Sequence, residues 1–216
     1  MSNELKAIIF DLDGVVTDTA EYHYKSWKLP LKEEGIDFSE EENEKLRGLS
    51  RRDSVKTIAQ VKKVDFTKEK EDEIMKKKND YYQEIIDDLN KNDMISGIYK
   101  ILVELKNKNY KLAVASASRN AKQVIRSLEL DNFFELIADG NSVKKSKPAP
   151  DLFLFTAQKM GFKPEECLVV EDSKAGVIGA KKAGMKVVGV GPEERIGKAD
   201  YCYNKVSDID LNEIFK

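Results

Sequence analysis

The chain has 216 residues, and its 37 Lys and Arg residues nearly balance its 39 Asp and Glu residues, which leaves a formal net charge of −2. This balance argues against a nucleic-acid partner, because proteins that bind nucleic acids usually carry a basic excess. The proportions of hydrophobic (41%) and charged (35%) residues are typical of a soluble globular protein. No apolar run approaches the roughly 18 residues of a membrane span, so we expect no membrane partner.

Cysteine and histidine are scarce, and this scarcity excludes several kinds of chemistry. Cys167 and Cys202 form no C-x-x-C pair and cannot build a disulfide framework, which favours a cytoplasmic location. Residues 1–6 lack the apolar stretch of a secretory signal peptide. His23 is the single histidine, so a zinc site built on several histidines is impossible. The chemistry must therefore rely on carboxylates, lysines, hydroxyls and backbone amides.

The first predicted element is a buried strand at Ala7–Phe10, a short apolar run that stops at Asp11. Between about residues 19 and 92 the chain is densely charged, and apolar residues such as Ile85 and Leu89 recur at helical spacing. This pattern predicts an insert of about three to five helices. We call residues 19–92 the helical insert.

From residue 95 onward, helical and strand patterns alternate. Helices are predicted around residues 98–105, 124–128, 151–160 and 177–183, the last one closed by Gly184. Strands are predicted at residues 111–115, 136–138, 168–170 and 186–190. Such alternation predicts an α/β fold, a parallel sheet with helices on both faces.

Polar side chains follow three of the predicted strands. They are Asp11 and Asp13, Ser116 and Ser118, and Glu171 and Asp172. In open parallel sheets, ligands bind in the crevice outside the carboxyl ends of the strands. Lys147 lies in a loop that we expect to reach the same edge.

The acidic residues at this edge predict a metal site. Asp11, Asp13 and Asp172 would form an oxygen-rich pocket for a hard cation such as Mg²⁺. The alternatives are a solvated acidic turn at Asp11 and Asp13, and a helix N-cap at Asp172. Because two acidic groups come to one sheet edge, metal binding is the favoured interpretation.

Two further segments are candidates for anion binding, each with a plainer alternative. Residues 116–120 (SASRN) end a strand and open a helix, which makes either a phosphate seat or a simple capping turn. Residues 48–52 (GLSRR) either hold an anion through Arg51 or form a turn between helices. Lys147 offers a point charge for a phosphoryl group, although a lone loop lysine is commonly solvated.

Taken together, residues 11–18 (DLDGVVTD), Ser116, Lys147 and Glu171-Asp172 resemble, in order, the four motifs of the haloacid dehalogenase superfamily of phosphoryl-transfer enzymes. The resemblance implies a Rossmann-like core domain at residues 1–18 and 93–216. It also implies that the helical insert, residues 19–92, is an all-helical cap domain.

Five segments resemble the β-phosphoglucomutase family within that superfamily. They are residues 19–23 (TAEYH), 47–51 (RGLSR), 78–80 (KND), 115–118 (ASAS) and 146–151 (SKPAPD). The chain departs from the family pattern at Arg47 and Arg119, where lysine is frequent, and at Pro30, which interrupts the first predicted helix.

This resemblance implies a nucleophile, an acid–base residue and a metal. Asp11 would carry the phosphoryl group, Asp13 would act as general acid and base, and Ser116 and Lys147 would hold the phosphoryl oxygens. One Mg²⁺ ion would be held by Asp11, the Asp13 carbonyl and Asp172, with Glu171 contributing. The substrate would be a hexose phosphate, with glucose 1,6-bisphosphate as activator and intermediate.

The resemblance also implies a substrate-binding set. It comprises Thr19, His23, Arg47, Gly48, Leu49, Ser50, Arg51, Lys78, Ala117, Ser118, Arg119 and Asn120. Within it, Arg51 and residues 118–120 would hold the idle phosphate, residues 48–50 would line the sugar, and His23, Arg47 and Lys78 would support cap closure. We expect a monomer. The main alternative is a sugar-phosphate phosphatase, and a phosphate-sensing module or a dehalogenase would fit the acidic residues less well.

Overall fold

The computed structural model describes residues 4–215, which form a parallel sheet flanked by helices and a helical insert after the first strand. Residues 1–3, which belong to the N-terminal segment 1–6 considered above, and residue 216 lie outside the described residues. The strands are β1 (Ala7–Phe10), β2 (Lys111–Ala115), β3 (Leu136–Ala138), β4 (Cys167–Glu171), β5 (Lys186–Val190) and β6 (Tyr201–Tyr203).

Ten α-helices are present in the described residues. They are α1 (Ala20–Glu33), α2 (Glu40–Glu44), α3 (Arg51–Lys62), α4 (Lys68–Ile86), α5 (Ile98–Asn107), α6 (Ala121–Ser127), α7 (Asp151–Met160), α8 (Lys174–Lys182), α9 (Glu193–Ile196) and α10 (Leu211–Ile214). No helix within residues 4–215 is both long and apolar enough to cross a membrane.

All six strands run parallel, in the order β3-β2-β1-β4-β5-β6. The chain builds the sheet outward from β1 on one side through β2 and β3, then returns to the other side of β1 with β4. The crevice where the strand order reverses therefore opens between the carboxyl ends of β1 and β4. The predicted Rossmann-like α/β class is confirmed.

The sheet is buried on both faces, which explains why its central strands read as unbroken apolar runs. Side chains of β1 alternate between the two faces. Phe10 and Leu102 of α5 belong to the apolar cluster on one face, whereas Ile9, Phe153 of α7 and Val177 of α8 belong to the cluster on the other. The β1 strand and the residue that follows it are thereby fixed in the centre of the fold.

The helical insert has an apolar core of its own. Trp27 of α1, Val55 of α3 and Ile74 of α4 belong to this separate cluster. The final turns of α4 differ, because Tyr82 and Ile86 pack into the apolar cluster beneath the sheet. We propose that the domain boundaries lie near residues 18 and 93, with the end of α4 resting on the sheet domain.

The predicted elements up to residue 190 are all present, and β1, β2, β3 and β5 have the predicted bounds. Helix α1 continues through Pro30 to Glu33, so the proline does not end it. β6, α9 and α10 were not predicted. β6 is a three-residue edge strand with the sequence Tyr-Cys-Tyr, too short to show a periodic pattern.

Candidate active site

Three carboxylates meet where β1 and β4 end. Asp11 follows β1, Glu171 is the last residue of β4, and Asp172 comes next. All three are buried, and one oxygen of each lies within 4.8 Å of the others. We call these residues the acidic cluster. Carboxylate oxygens are the ligands that Mg²⁺ prefers, so the cluster has the chemistry of a magnesium site.

Lys147 reaches this cluster from the loop between β3 and α7. Its Nζ donates to Asp11 Oδ1 at 2.6 Å and to Glu171 Oε1 at 2.5 Å. Burial lowers the pKa of Lys147, but the two carboxylates outweigh burial, and the net pKa lies above the ordinary lysine value. Lys147 is therefore a buried ammonium group and not a solvated loop lysine.

Within the acidic cluster, the negative charge of Asp11 and Asp172 is not fully balanced by neighbouring cations. Burial raises the pKa of Asp11 well above its ordinary value, and the nearby Glu171 carboxylate raises it further. The same two causes raise the pKa of Asp172 to about 7, although Arg47 opposes them. Asp172 Oδ1 is buried and has no hydrogen-bond partner among residues 4–215. A divalent cation would satisfy this oxygen and offset the repulsion, so the residues present fit the metal.

Glu171 also organises the turn from β4 into α8. Its Oε2 accepts the backbone amides of Asp172 and Ser173, both at 3.0 Å, and the Ser173 hydroxyl at 2.9 Å. Ser173 is the N-cap of α8 and accepts the Gly176 amide. The alternative interpretation of Asp172 as the helix cap is therefore wrong, and its carboxylate does not serve to cap α8.

We expect Gly176→Ala to destabilise the fold by about 1–3 kcal/mol, although alanine favours a helix over glycine by about 1 kcal/mol. The added methyl group would overlap the buried Glu171 carboxylate. Gly179→Ala is the comparison on the same helix, because its added Cβ would lie 3.0 Å from the Ala149 carbonyl oxygen, a tight contact without overlap, and it should therefore cost less stability. Urea unfolding measures both variants, and equal stabilities would contradict the packing argument.

Asp13 turns its side chain away from the acidic cluster and toward the helical insert. Its Oδ1 accepts a hydrogen bond from the Thr19 hydroxyl and lies 3.6 Å from His23 Nε2. Its Oδ2 accepts from the Ser116 hydroxyl at 3.5 Å. Burial raises the pKa of Asp13, but the contacts with His23 and Thr19 prevail and place it below the ordinary value. Asp13 is thus an ionised carboxylate beside Asp11, in the form that accepts a proton.

His23 and Lys78 connect Asp13 to the helical insert. Lys78 Nζ lies 2.9 Å from His23 Nδ1 and 4.0 Å from the centre of the Tyr82 ring. His23 stacks on Tyr82 with ring centres 4.5 Å apart. Burial, assisted by the neighbouring Arg51, lowers the pKa of Lys78 well below its ordinary value. Burial likewise lowers the pKa of His23.

The turn between α2 and α3 brings the helical insert onto the sheet. Arg47 Nη1 donates to Asp172 Oδ2 at 2.9 Å. At Gly48, φ is +75° and an added Cβ would overlap Ser173, so only glycine permits this approach. Ser50 is the N-cap of α3 and accepts the Asp53 amide. These residues form the turn that the alternative interpretation proposed, and they also face the catalytic edge of the sheet.

The segment after β2 is a hydrogen-bonded turn that also faces the site. The Ser116 hydroxyl accepts the Ser118 amide at 3.0 Å, and the Ser118 hydroxyl accepts the Asn120 amide at 3.2 Å. Asn120 precedes α6 and makes no side-chain cap of its own. The hydroxyls therefore order the turn while Ser116 remains in contact with Asp13.

One cavity joins the sheet edge to the helical insert. Of the predicted residues, those that line it are Asp11, Asp13, His23, Arg47, Gly48, Leu49, Arg51, Lys78, Ala117, Ser118 and Arg119. Trp27, Asn43 and Glu44 also line it and were not predicted. A Glu44–Arg47 pair at i, i+3 is a sequence signal that could have identified Glu44.

A neighbouring cavity carries the two arginines predicted to hold an anion. Ser50, Arg51 and Arg119 line it together with Asn79. Asn79 Oδ1 accepts from Arg51 Nη2 at 2.5 Å and from Asn120 Nδ2 at 3.1 Å, so it links the insert to the turn after β2. Burial, and then the charge of Arg119, lowers the pKa of Arg51 to about 10. Two cations held this close favour an anion between them.

The site can be compared with known proteins. The haloacid dehalogenase-like hydrolase family matches residues 8–190. The chain belongs to this family. The resemblance predicted from its four motifs is thus confirmed.

Some relatives are similar over almost the whole chain. A β-phosphoglucomutase of Bacillus subtilis (strain 168) is 41% identical over 212 residues, which cover 96% of this chain and 92% of that protein. A crystal structure of a β-phosphoglucomutase from Clostridium difficile matches with a TM-score of 0.92 at 37% identity, covering 97% of this chain and 95% of that one. A phosphorylated carbohydrates phosphatase of Thermotoga maritima is 28% identical over 90% of this chain and 89% of its own length.

Proposed function

We propose that this member of the haloacid dehalogenase-like hydrolase family interconverts β-D-glucose 1-phosphate and glucose 6-phosphate. The observation that carries the proposal is the presence of two positively charged sites around the two neighbouring cavities. Lys147 stands beside Asp11 at the sheet edge, and Arg51 and Arg119 stand across from it. A mutase needs both, because one phosphate reacts while the other must be held.

The metal in this proposal is Mg²⁺, held by the acidic cluster with the Asp13 backbone carbonyl. When bound, it would offset the charge of the phosphoryl group and keep Asp11 ionised. The unpartnered oxygen of Asp172 and the raised pKa of Asp11 support this assignment.

The reaction divides between two neighbouring carboxylates. In the phosphorylated enzyme, the bond between Asp11 and phosphorus breaks as a bond forms to O6 of β-glucose 1-phosphate, and Asp13 takes the hydroxyl proton. This yields β-glucose 1,6-bisphosphate. After the bisphosphate reverses its orientation, Asp11 attacks the phosphorus on O1, and Asp13 returns the proton to O1 as glucose 6-phosphate forms.

The remaining site residues hold the phosphates and exclude water. Lys147 and Ser116 would hold the oxygens of the reacting phosphoryl group, and Arg51 with residues 118–120 would hold the idle phosphate. Contacts between the insert and the sheet, such as Lys78–His23–Asp13, would close the cavity, so that a sugar hydroxyl and not water receives the phosphoryl group.

We further propose that the enzyme acts as a monomer in the cytoplasm. Every group in the scheme belongs to one chain, so no second copy is needed. The free thiols Cys167 and Cys202 suit a reducing compartment.

A two-product assay tests the function. The enzyme is supplied with β-glucose 1-phosphate, Mg²⁺ and a trace of glucose 1,6-bisphosphate, and glucose 6-phosphate and free phosphate are measured separately. We expect glucose 6-phosphate to form in large excess over free phosphate. The added bisphosphate should shorten any delay before the reaction reaches its full rate. The α anomer serves as the control substrate and should not be converted.

The same assay distinguishes a mutase from a sugar-phosphate phosphatase. The similarity to a carbohydrate phosphatase makes phosphate release the natural competing activity. Free phosphate formed faster than glucose 6-phosphate would replace the mutase proposal with a sugar-phosphate phosphatase.

A further inference from the structure

Arg47 connects the helical insert directly to a proposed metal ligand. It lies between α2 and α3, 125 positions before Asp172, and its Nη1 stands 2.9 Å from Asp172 Oδ2. Its other donors grip Glu44, with Nη2 at 2.8 Å from Oε1 and Nε at 3.1 Å from Oε2. The side chain of Asp172 is 0% exposed and that of Arg47 is 15% exposed. This is an ion pair that water scarcely screens.

The charges around the acidic cluster show what Arg47 does there. Lys147 is shared by Asp11 and Glu171, whereas Asp172 has Arg47 as its hydrogen-bonded cation. Three buried carboxylates are thus hydrogen-bonded by two cations, and the Arg195 charge adds a smaller electrostatic contribution at Asp172. Arg47 occupies the role at Asp172 that a divalent cation would otherwise fill.

We propose that Arg47 competes with the divalent cation for Asp172, so that closure of the helical insert and metal binding oppose each other. This inference rests on the metal site of the proposed function. A metal ion on the free Oδ1 would place its charge and the guanidinium on one buried carboxylate. The two hydrogen bonds to Glu44 restrain the Arg47 guanidinium from rotating away from Asp172 while the insert stays closed. By linkage, a closed insert weakens metal binding, and bound metal loosens the closed insert to the same degree.

Magnesium affinity measured without substrate tests the proposal. Isothermal titration with MgCl₂ is expected to give a dissociation constant at least about fivefold lower for Arg47→Gln than for the unaltered protein. Arg47→Lys should fall between them, because it keeps the charge and loses the fork on Glu44. Arg52→Gln is the matched control, since Arg52 pairs with Glu71 and Asp72 on the outside of the insert, and its affinity should not change.

The outcomes separate the inference from the proposed function. Equal or weaker Mg²⁺ binding by Arg47→Gln would overturn competition, and weaker binding would make Arg47 a residue that orients Asp172. An unaltered protein that binds no Mg²⁺ would overturn both the inference and the proposed metal site.

A second measurement uses the unaltered protein and so does not depend on the variants folding. MgCl₂ alone is expected to speed amide hydrogen exchange of residues 44–49 by about threefold or more, because bound metal releases Arg47. Slower or unchanged exchange in that segment, with Mg²⁺ bound, would contradict the proposal.

Discussion

Asp11→Asn is expected to lower glucose 6-phosphate formation by at least about 10⁴-fold, because an amide cannot carry the phosphoryl group as a carboxylate does. Asp11 lies in the acidic cluster and 2.6 Å from Lys147. The rate is measured by the two-product assay, and intact-mass spectrometry checks that the variant no longer gains a phosphoryl group from glucose 1,6-bisphosphate.

Asp18→Asn is the matched control for this experiment. Asp18 is exposed on the same loop, and its Oδ1 accepts the Ala20 amide at 3.1 Å, a bond that asparagine can also make. This variant should keep its activity within about twofold. Near-normal turnover by Asp11→Asn would overturn the covalent mechanism, and an equal loss in both variants would point to damage of the loop.

Asp13→Asn is expected to lower kcat by about 10²–10⁴-fold, the usual contribution of a positioned acid–base group. The contacts with His23 and Thr19 hold Asp13 in its ionised form, ready to take the proton of the attacking hydroxyl. The defect should depend on the leaving group. Acetyl phosphate releases acetate, which needs no proton, so Asp13→Asn should still be phosphorylated on Asp11 by acetyl phosphate.

The comparison of these two donors makes the role of Asp13 testable. A variant that reacts slowly with the sugar bisphosphate but readily with acetyl phosphate has lost acid–base assistance. If phosphorylation by acetyl phosphate fell as steeply as sugar turnover, Asp13 would be a structural residue of the loop and not a proton carrier.

The sheet and the acidic cluster were accessible from sequence because their signals are local. β1 and β5 are apolar runs with clear ends, and Asp11 and Glu171 stand at strand ends that a parallel sheet brings to one edge. The resemblance to the four motifs indicated that these residues, separated in the chain, belong to one site.

Other features depend on how the helical insert sits on the sheet, which no local pattern records. The Arg47–Asp172 ion pair joins residues 125 positions apart. Asn79, which bridges Arg51 and Asn120, belongs to the recognised segment 78–80, yet its two partners come from different parts of the chain. β6 was missed because three residues at a sheet edge carry too little periodicity.

The anchoring of α4 makes this helix a lever. Its last turns, at Tyr82 and Ile86, are embedded beneath the sheet, while Ile74 belongs to the core of the insert. A helix of 19 residues is about 28 Å long, so pivoting it by about 10° around the embedded end would carry the far end about 5 Å. Asn79 lies partway along this arm, and a small rotation would separate it from Asn120 in the sheet domain. Lys78 would keep its contact with His23, because His23 lies on α1 of the same insert.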